Sequence, residues 1–146
     1  MTMRSPSHHL LENAARFLLG AQHLSSSDDR HSREIVLHHV ACAIELSLKA
    51  FLRLRGWSDD RCRHEIRHDL TKALKVAGGL GLRPSHPDLP ELAAVLSPYY
   101  CHHRIDELAA HAPASLSLQT AIEATEGLLG DIRVASSRAL RSSSRP

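Results

Sequence analysis

A chain of 146 residues is long enough to bury a core and fits a single domain. Hydrophobic residues make up 42% of it but aromatics only 3%. Few aromatics and sparse β-branched residues suit a core of Leu, Ala, Ile and Val packed between helices better than a sheet. The net charge of +2 excludes a strong undirected pull on nucleic acid, although 12 histidines make the charge sensitive to pH near neutrality.

In chain order, residues 1–6 read as a loose lead-in. Ser7 is expected to cap a first helix whose apolar face carries Leu10, Leu11, Ala14, Phe17, Leu18 and Ala21. The polar run 25–29 ends it near His23 or Leu24. A long central helix then starts between Asp29 and Ser32 and runs to Gly56, with Leu37, Val40, Ala41, Ile44, Leu48, Phe51 and Leu52 at helical spacing. Segment 57–67 is a polar connector with room for a short turn. Asp69 opens a third helix with Leu70, Ala73, Leu74 and Ala77 inward, and Gly78, Gly79 and Gly81 end it. Segment 83–90 holds three prolines and is irregular. The fourth helix starts at Leu89 or Pro90 and reaches Tyr100, with Leu92, Val95, Leu96 and Tyr99 inward and a kink or shortening at Pro98. Segment 101–106 is a second polar patch, and segment 112–115 is a turn. The last helix, about 116–138, is capped by Ser115 or Ser117. It buries Leu118, Ala121, Ile122, Thr125, Leu128, Leu129 and Ile132, although Gly127 and Gly130 weaken its continuity. The expectation is an all-α, up-down bundle of about five helices over residues 7–140, with a disordered tail at 141–146.

Three cysteines, Cys42, Cys62 and Cys101, with no CxxC, point to reduced thiols rather than a disulfide framework. No unbroken apolar run reaches the ~18 residues of a membrane span, and the start of the chain lacks a signal-peptide core. The expected location is the cytoplasm. His38 and Cys42 lie one turn apart and could share a metal. Cys62 with His64, and Cys101 with His102 and His103, offer further ligand types. None has structural-zinc spacing, so no metal or other cofactor is assigned. No nucleophile motif or phosphate-binding glycine loop is present.

Three blocks together resemble the HEPN superfamily (higher eukaryote and prokaryote nucleotide-binding domains). They are segment 43–52 (AIELSLKAFL) closed by Arg55 and Gly56, segment 68–74 (HDLTKAL) continued by Ala77 to Leu80, and Tyr99-Tyr100 with Arg104 shortly after. The likeness covers roughly residues 8–135. It implies a helical bundle, often a homodimer, in the cytoplasm of a prokaryote, working in RNA metabolism, defence or a toxin–antitoxin system. Some members of that superfamily are metal-independent ribonucleases carrying Arg-x4–6-His, some pair with a small nucleotidyltransferase, and others bind without catalysis.

That Arg/His spacing makes chemical sense, because histidine can move a proton at the 2′-hydroxyl and arginine can hold the phosphate. Here it is met by Arg63 and His68, with Arg104 and His111 as the alternative pair, and also by Arg61 with His68. Among 15 arginines and 12 histidines such matches arise by chance, and six arginines start one. Glu45 and Lys49 stand four apart on the central helix and read as an ion pair. They either form a polar cluster that shapes a cleft with Arg104 or His68, or serve only to fix helix packing. The sequence therefore reads first as an RNA-binding or protein-interaction module, with RNA, a nucleotidyltransferase or an antitoxin as partner. A ribonuclease toxin is the alternative and an unrelated helical assembly protein the second alternative. A homodimer would use apolar residues left over on the central helix, such as Ile35, Val36 and Leu46.

Overall fold

The computed structural model describes residues 5–27, 29–111 and 116–143, and among them there are helices and no strand. The order is α1 (Pro6–Leu24), α2 (Arg30–Leu54), a single turn α3 (Asp59–Arg61) running into a π-helical turn (Cys62–Ile66), α4 (Leu70–Gly79), α5 (Leu89–Tyr100), α6 (Ile105–His111) and α7 (Leu118–Ser143). The all-α bundle is as expected. The helices exceed five because the two polar patches each contain one.

The central helix organises the rest. Asp29 caps α2 by accepting from Ser32 N at 2.8 Å. The far end closes on Gly56, whose φ of 95° few side-chain-bearing residues adopt. Gly56 N donates to Arg53 O and Trp57 N to Leu52 O, which satisfies the last carbonyls. Between these ends α2 buries apolar residues on several faces, because α1, α4, α5, α6 and α7 all pack against it. By length and composition α2 could cross a membrane, but 72% of its most apolar window is buried here, as in a core helix. Of the apolar residues expected to serve a dimer, Val36 is fully buried and Leu46 is partly buried against the core, while Ile35 is partly exposed and lines a cavity.

Several local expectations are corrected. Helix α1 starts one residue before Ser7, on Pro6, because a first-turn proline has no N–H to leave unpaired. Ser7 is instead buried. Residue Tyr100, not Tyr99, is the buried tyrosine of α5. Pro98 lies in the last turn and leaves α5 intact to Tyr100. The patch after α5 turns into α6, where Ile105, Leu108 and Ala109 are buried. Its i, i+3, i+4 apolar spacing is helical but spans only two turns. Helix α7 runs on to Ser143, past both glycines. Ser117 takes the capping role, accepting from Thr120 N at 3.2 Å. The 112–115 turn, residues 1–4 of the lead-in and residues 144–146 of the tail lie outside the described residues.

Candidate functional site

The polar residues of the connector are brought to α2 by an unusual turn. Arg61 lies over the Trp57 ring at 3.7 Å and bonds Glu65 at 2.8 Å. Cys62 and Ile66 point inward and are buried, which anchors the π-helical turn. Arg67 N then donates to Cys62 O, and Arg67 takes φ 53° and ψ −119°, a conformation costly for a residue with a Cβ. The next residue is His68. Its carbonyl accepts from Cys101 Sγ at 3.1 Å. Asp69 caps α4 through Lys72 N at 3.0 Å, and Ser97 Oγ on α5 donates to Asp69 while accepting from Leu70 N, both at 3.0 Å. His68 is thus fixed between α2, α4 and α5 while its side chain stays about half exposed.

The Glu45 carboxylate, 8% exposed, accepts the Nδ1 hydrogen of His68 with one oxygen and pairs with Lys49 Nζ at 3.6 Å through the other. A carboxylate on Nδ1 fixes the imidazole, and in a neutral ring so held Nε2 is the acceptor. Of the predicted polar cluster, the structure groups Glu45 and Lys49 with His68. Arg104 bonds Glu107 at 2.9 Å, and this bond raises its already high pKa. Arg63 is engaged by Asp59 and Asp60 at 3.7 and 3.8 Å. His111 ends α6 at the surface. Neither candidate pair, Arg63 with His68 or Arg104 with His111, is joined by a contact among the described residues.

Tertiary packing also assembles a row of rings. Phe17 of α1 meets His39 of α2 edge to face at 5.4 Å between centroids, and His39 meets His38 at 6.4 Å. His38 meets Tyr100 at 5.9 Å, Tyr100 meets His68 at 5.6 Å, and His68 meets His103 at 6.1 Å. An open cavity of about 410 Å³ is lined by His38, His39, Tyr100 and His103 from this row, with Glu34 and Asp106 at its border. His103, like Arg67, has a positive φ, 56°. Loss of solvent around its ring, and then repulsion from His39, hold His38 below its ordinary pKa of 6.5, so it is neutral at pH 7. Burial, and then the bond with Cys42, push the Tyr100 hydroxyl far up, so it stays protonated. It lies 3.4 Å from Cys42 Sγ, which is 3.7 Å from His38 Nδ1.

Burial also raises Cys42, Cys62 and Cys101, so none is an activated thiolate. No group of three or more His, Cys, Asp or Glu with metal-binding geometry occurs among the described residues. The sequence pointed to Glu45, Lys49 and His68 but missed the row. Its members come from α1, α2, α5 and the two corners at His68 and His103, and only the adjacent His38 and His39 mark it in one dimension.

A family model described as a HEPN domain matches residues 7–134. Nothing matches among curated proteins or among solved structures.

Proposed function

The chain belongs to the HEPN family, and from that premise we propose that it is an RNA-binding module whose contact surface is the row of rings beside the Glu45–His68 pair. The observation that carries this reading is the row itself: six aromatic or imidazole rings in successive contact, four of which line an open cavity. Rings accept unstacked bases of any sequence, and imidazole and phenol edges can hydrogen-bond to them. The neutral state of His38 suits contact with bases rather than phosphates. A labelled single-stranded RNA pool in a fluorescence anisotropy titration tests it. His38→Ala and His103→Ala are each expected to weaken binding by about 1–3 kcal/mol, the worth of one base stacked on a ring. No binding by the parent protein would end the proposal.

One observation favours the ribonuclease alternative. Glu45 on Nδ1 leaves His68 Nε2 positioned as a general base. Against it, both candidate arginines are held by nearby carboxylates: Arg63 by Asp59 and Asp60, Arg104 by Glu107. Cleavage of mixed RNA by the parent, lost in His68→Ala or His111→Ala, would overturn the purely binding reading. The setting we propose with it follows from family likeness: a prokaryotic cytoplasm, in RNA metabolism, defence or a toxin–antitoxin system. A homodimer and a nucleotidyltransferase or antitoxin partner belong to the same proposal. A monomer by light scattering would remove the dimer from it.

A further inference from the structure

A second groove lies at the other end of α2. His39 and Arg55 are roughly 24 Å apart along that helix at ~1.5 Å per residue. The groove measures about 880 Å³, and its lining includes Phe51, Arg55, Arg83, Asp131, Val134 and Arg138. The three guanidiniums come from three places in the chain: the end of α2, the loop after α4, and α7.

Two of them are held in position by the backbone. Arg55 donates Nε to Leu80 O at 3.3 Å and lies over Phe51 with its central carbon 4.9 Å from the ring centroid. Neither of its terminal nitrogens has a hydrogen bond or ion pair among the described residues. Arg83 donates Nη1 to Gly78 O at 2.9 Å and to Leu82 O at 3.1 Å. That leaves its Nε–Nη2 edge, a side-on fork whose spacing matches two oxygens of one phosphate. Arg138 has no hydrogen bond or ion pair among the described residues. Asp131, the carboxylate in the lining, accepts from Ser85 N at 2.8 Å and Ser85 Oγ at 3.1 Å, so it is held by the loop rather than by an arginine.

We infer that this groove holds phosphate groups of an RNA backbone. The inference rests on the RNA reading proposed above. The ring-lined cavity is bordered by Glu34 and Asp106, which repel phosphates. An RNA whose bases enter it needs a cationic surface elsewhere for its backbone. The arginine groove supplies guanidinium donors, with Arg55 and Arg83 already held by backbone carbonyls and an apolar wall at Val134 beside them.

The test uses the full chain and a fluorescein-labelled single-stranded RNA titrated over a salt series. The Arg55→Gln/Arg83→Gln/Arg138→Gln variant is expected to bind at least about tenfold more weakly at low salt. Its slope of log K against log salt should flatten by about 2, since each single-strand phosphate contact contributes ~0.7. The matching triple-lysine variant keeps the charge without the forks, so it should keep the slope and lose affinity only several-fold. Unchanged far-UV circular dichroism checks that both variants fold. If the parent binds RNA and the glutamine variant keeps its affinity and slope, the inference is overturned and the RNA reading stands. If polyglutamate displaces the RNA as well as an equal charge of unlabelled RNA does, the groove takes carboxylates and the RNA assignment is overturned. If the parent binds no RNA, the failure lies in the reading beneath both.

Discussion

Asp29 shows how much one residue at a helix start can carry. It accepts from Ser27 Oγ at 2.6 Å, from Ser32 N at 2.8 Å and from Ser32 Oγ at 2.8 Å. The Ser27 bond first, and then those from Ser32, hold its carboxyl down to about 2 from an ordinary 3.8. Every donor here prefers the charged form. The folded value is the lower one, so the stability it contributes is complete above pH 3.8 and lost as pH falls through about 2. Acid titration followed by circular dichroism should therefore show the parent losing stability relative to Asp29→Ala over that window, with a constant difference above it. A difference that stays constant down to pH 2 would contradict the geometry. At Glu45 the residue type, the i,i+4 spacing and the family likeness all marked a polar pair in the sequence. The partner that matters for the site, His68, stands 23 positions away and becomes a neighbour only through the turn at Arg67.

At the scale of elements, the most extensive packing among the described residues is between α1 and α2. A methyl group on Gly20 would lie 2.8 Å from His39 Cδ2, inside any normal contact. The His39 ring has little freedom to move, because Nδ1 is 2.9 Å from Ile35 O and its edge meets Phe17. Gly20→Ala gains about 1 kcal/mol of helix propensity against about 1–3 kcal/mol for overpacking. A net loss of about 1 kcal/mol is expected in urea unfolding, together with weaker RNA binding because the ring row shifts. A gain in stability would mean that the two helices separate easily. The existence of α1, α2, α4, α5 and α7 was legible from apolar periodicity, since each has a stripe long enough to repeat. Helix α6 was not, because seven residues give too few turns for a pattern. Tyr99 and Tyr100 were confused because both flank the inward face: they stand ~100° apart around the helix, and Tyr99 is itself partly buried against the core.

At the scale of the molecule, α2 makes the fold one unit. Five helices pack against it, and Leu48 in its C-terminal half is fully buried. Leu48→Ala is expected to cost about 2–5 kcal/mol, a large share of the ~5–15 kcal/mol typical of a whole domain. It should lower the urea midpoint with an unchanged m value and coincident transitions by fluorescence and circular dichroism. Separate transitions would show that α1 or α7 unfolds independently of the centre.

The sequence by itself determined the helical class, the central helix with its caps, and the likeness to a family. Each of these depends on residues near one another in the chain, where periodicity, capping and spacing act. Only the tertiary structure decided which polar residues share a site. Arg63 and Arg104 kept the spacing of a catalytic pair but turned to carboxylates three or four residues away, since on a helix those neighbours lie closer than the histidine. Rings from α1, α2, α5 and the two left-handed corners met instead. Packing around a buried helix places side chains by three-dimensional direction, which linear spacing does not encode.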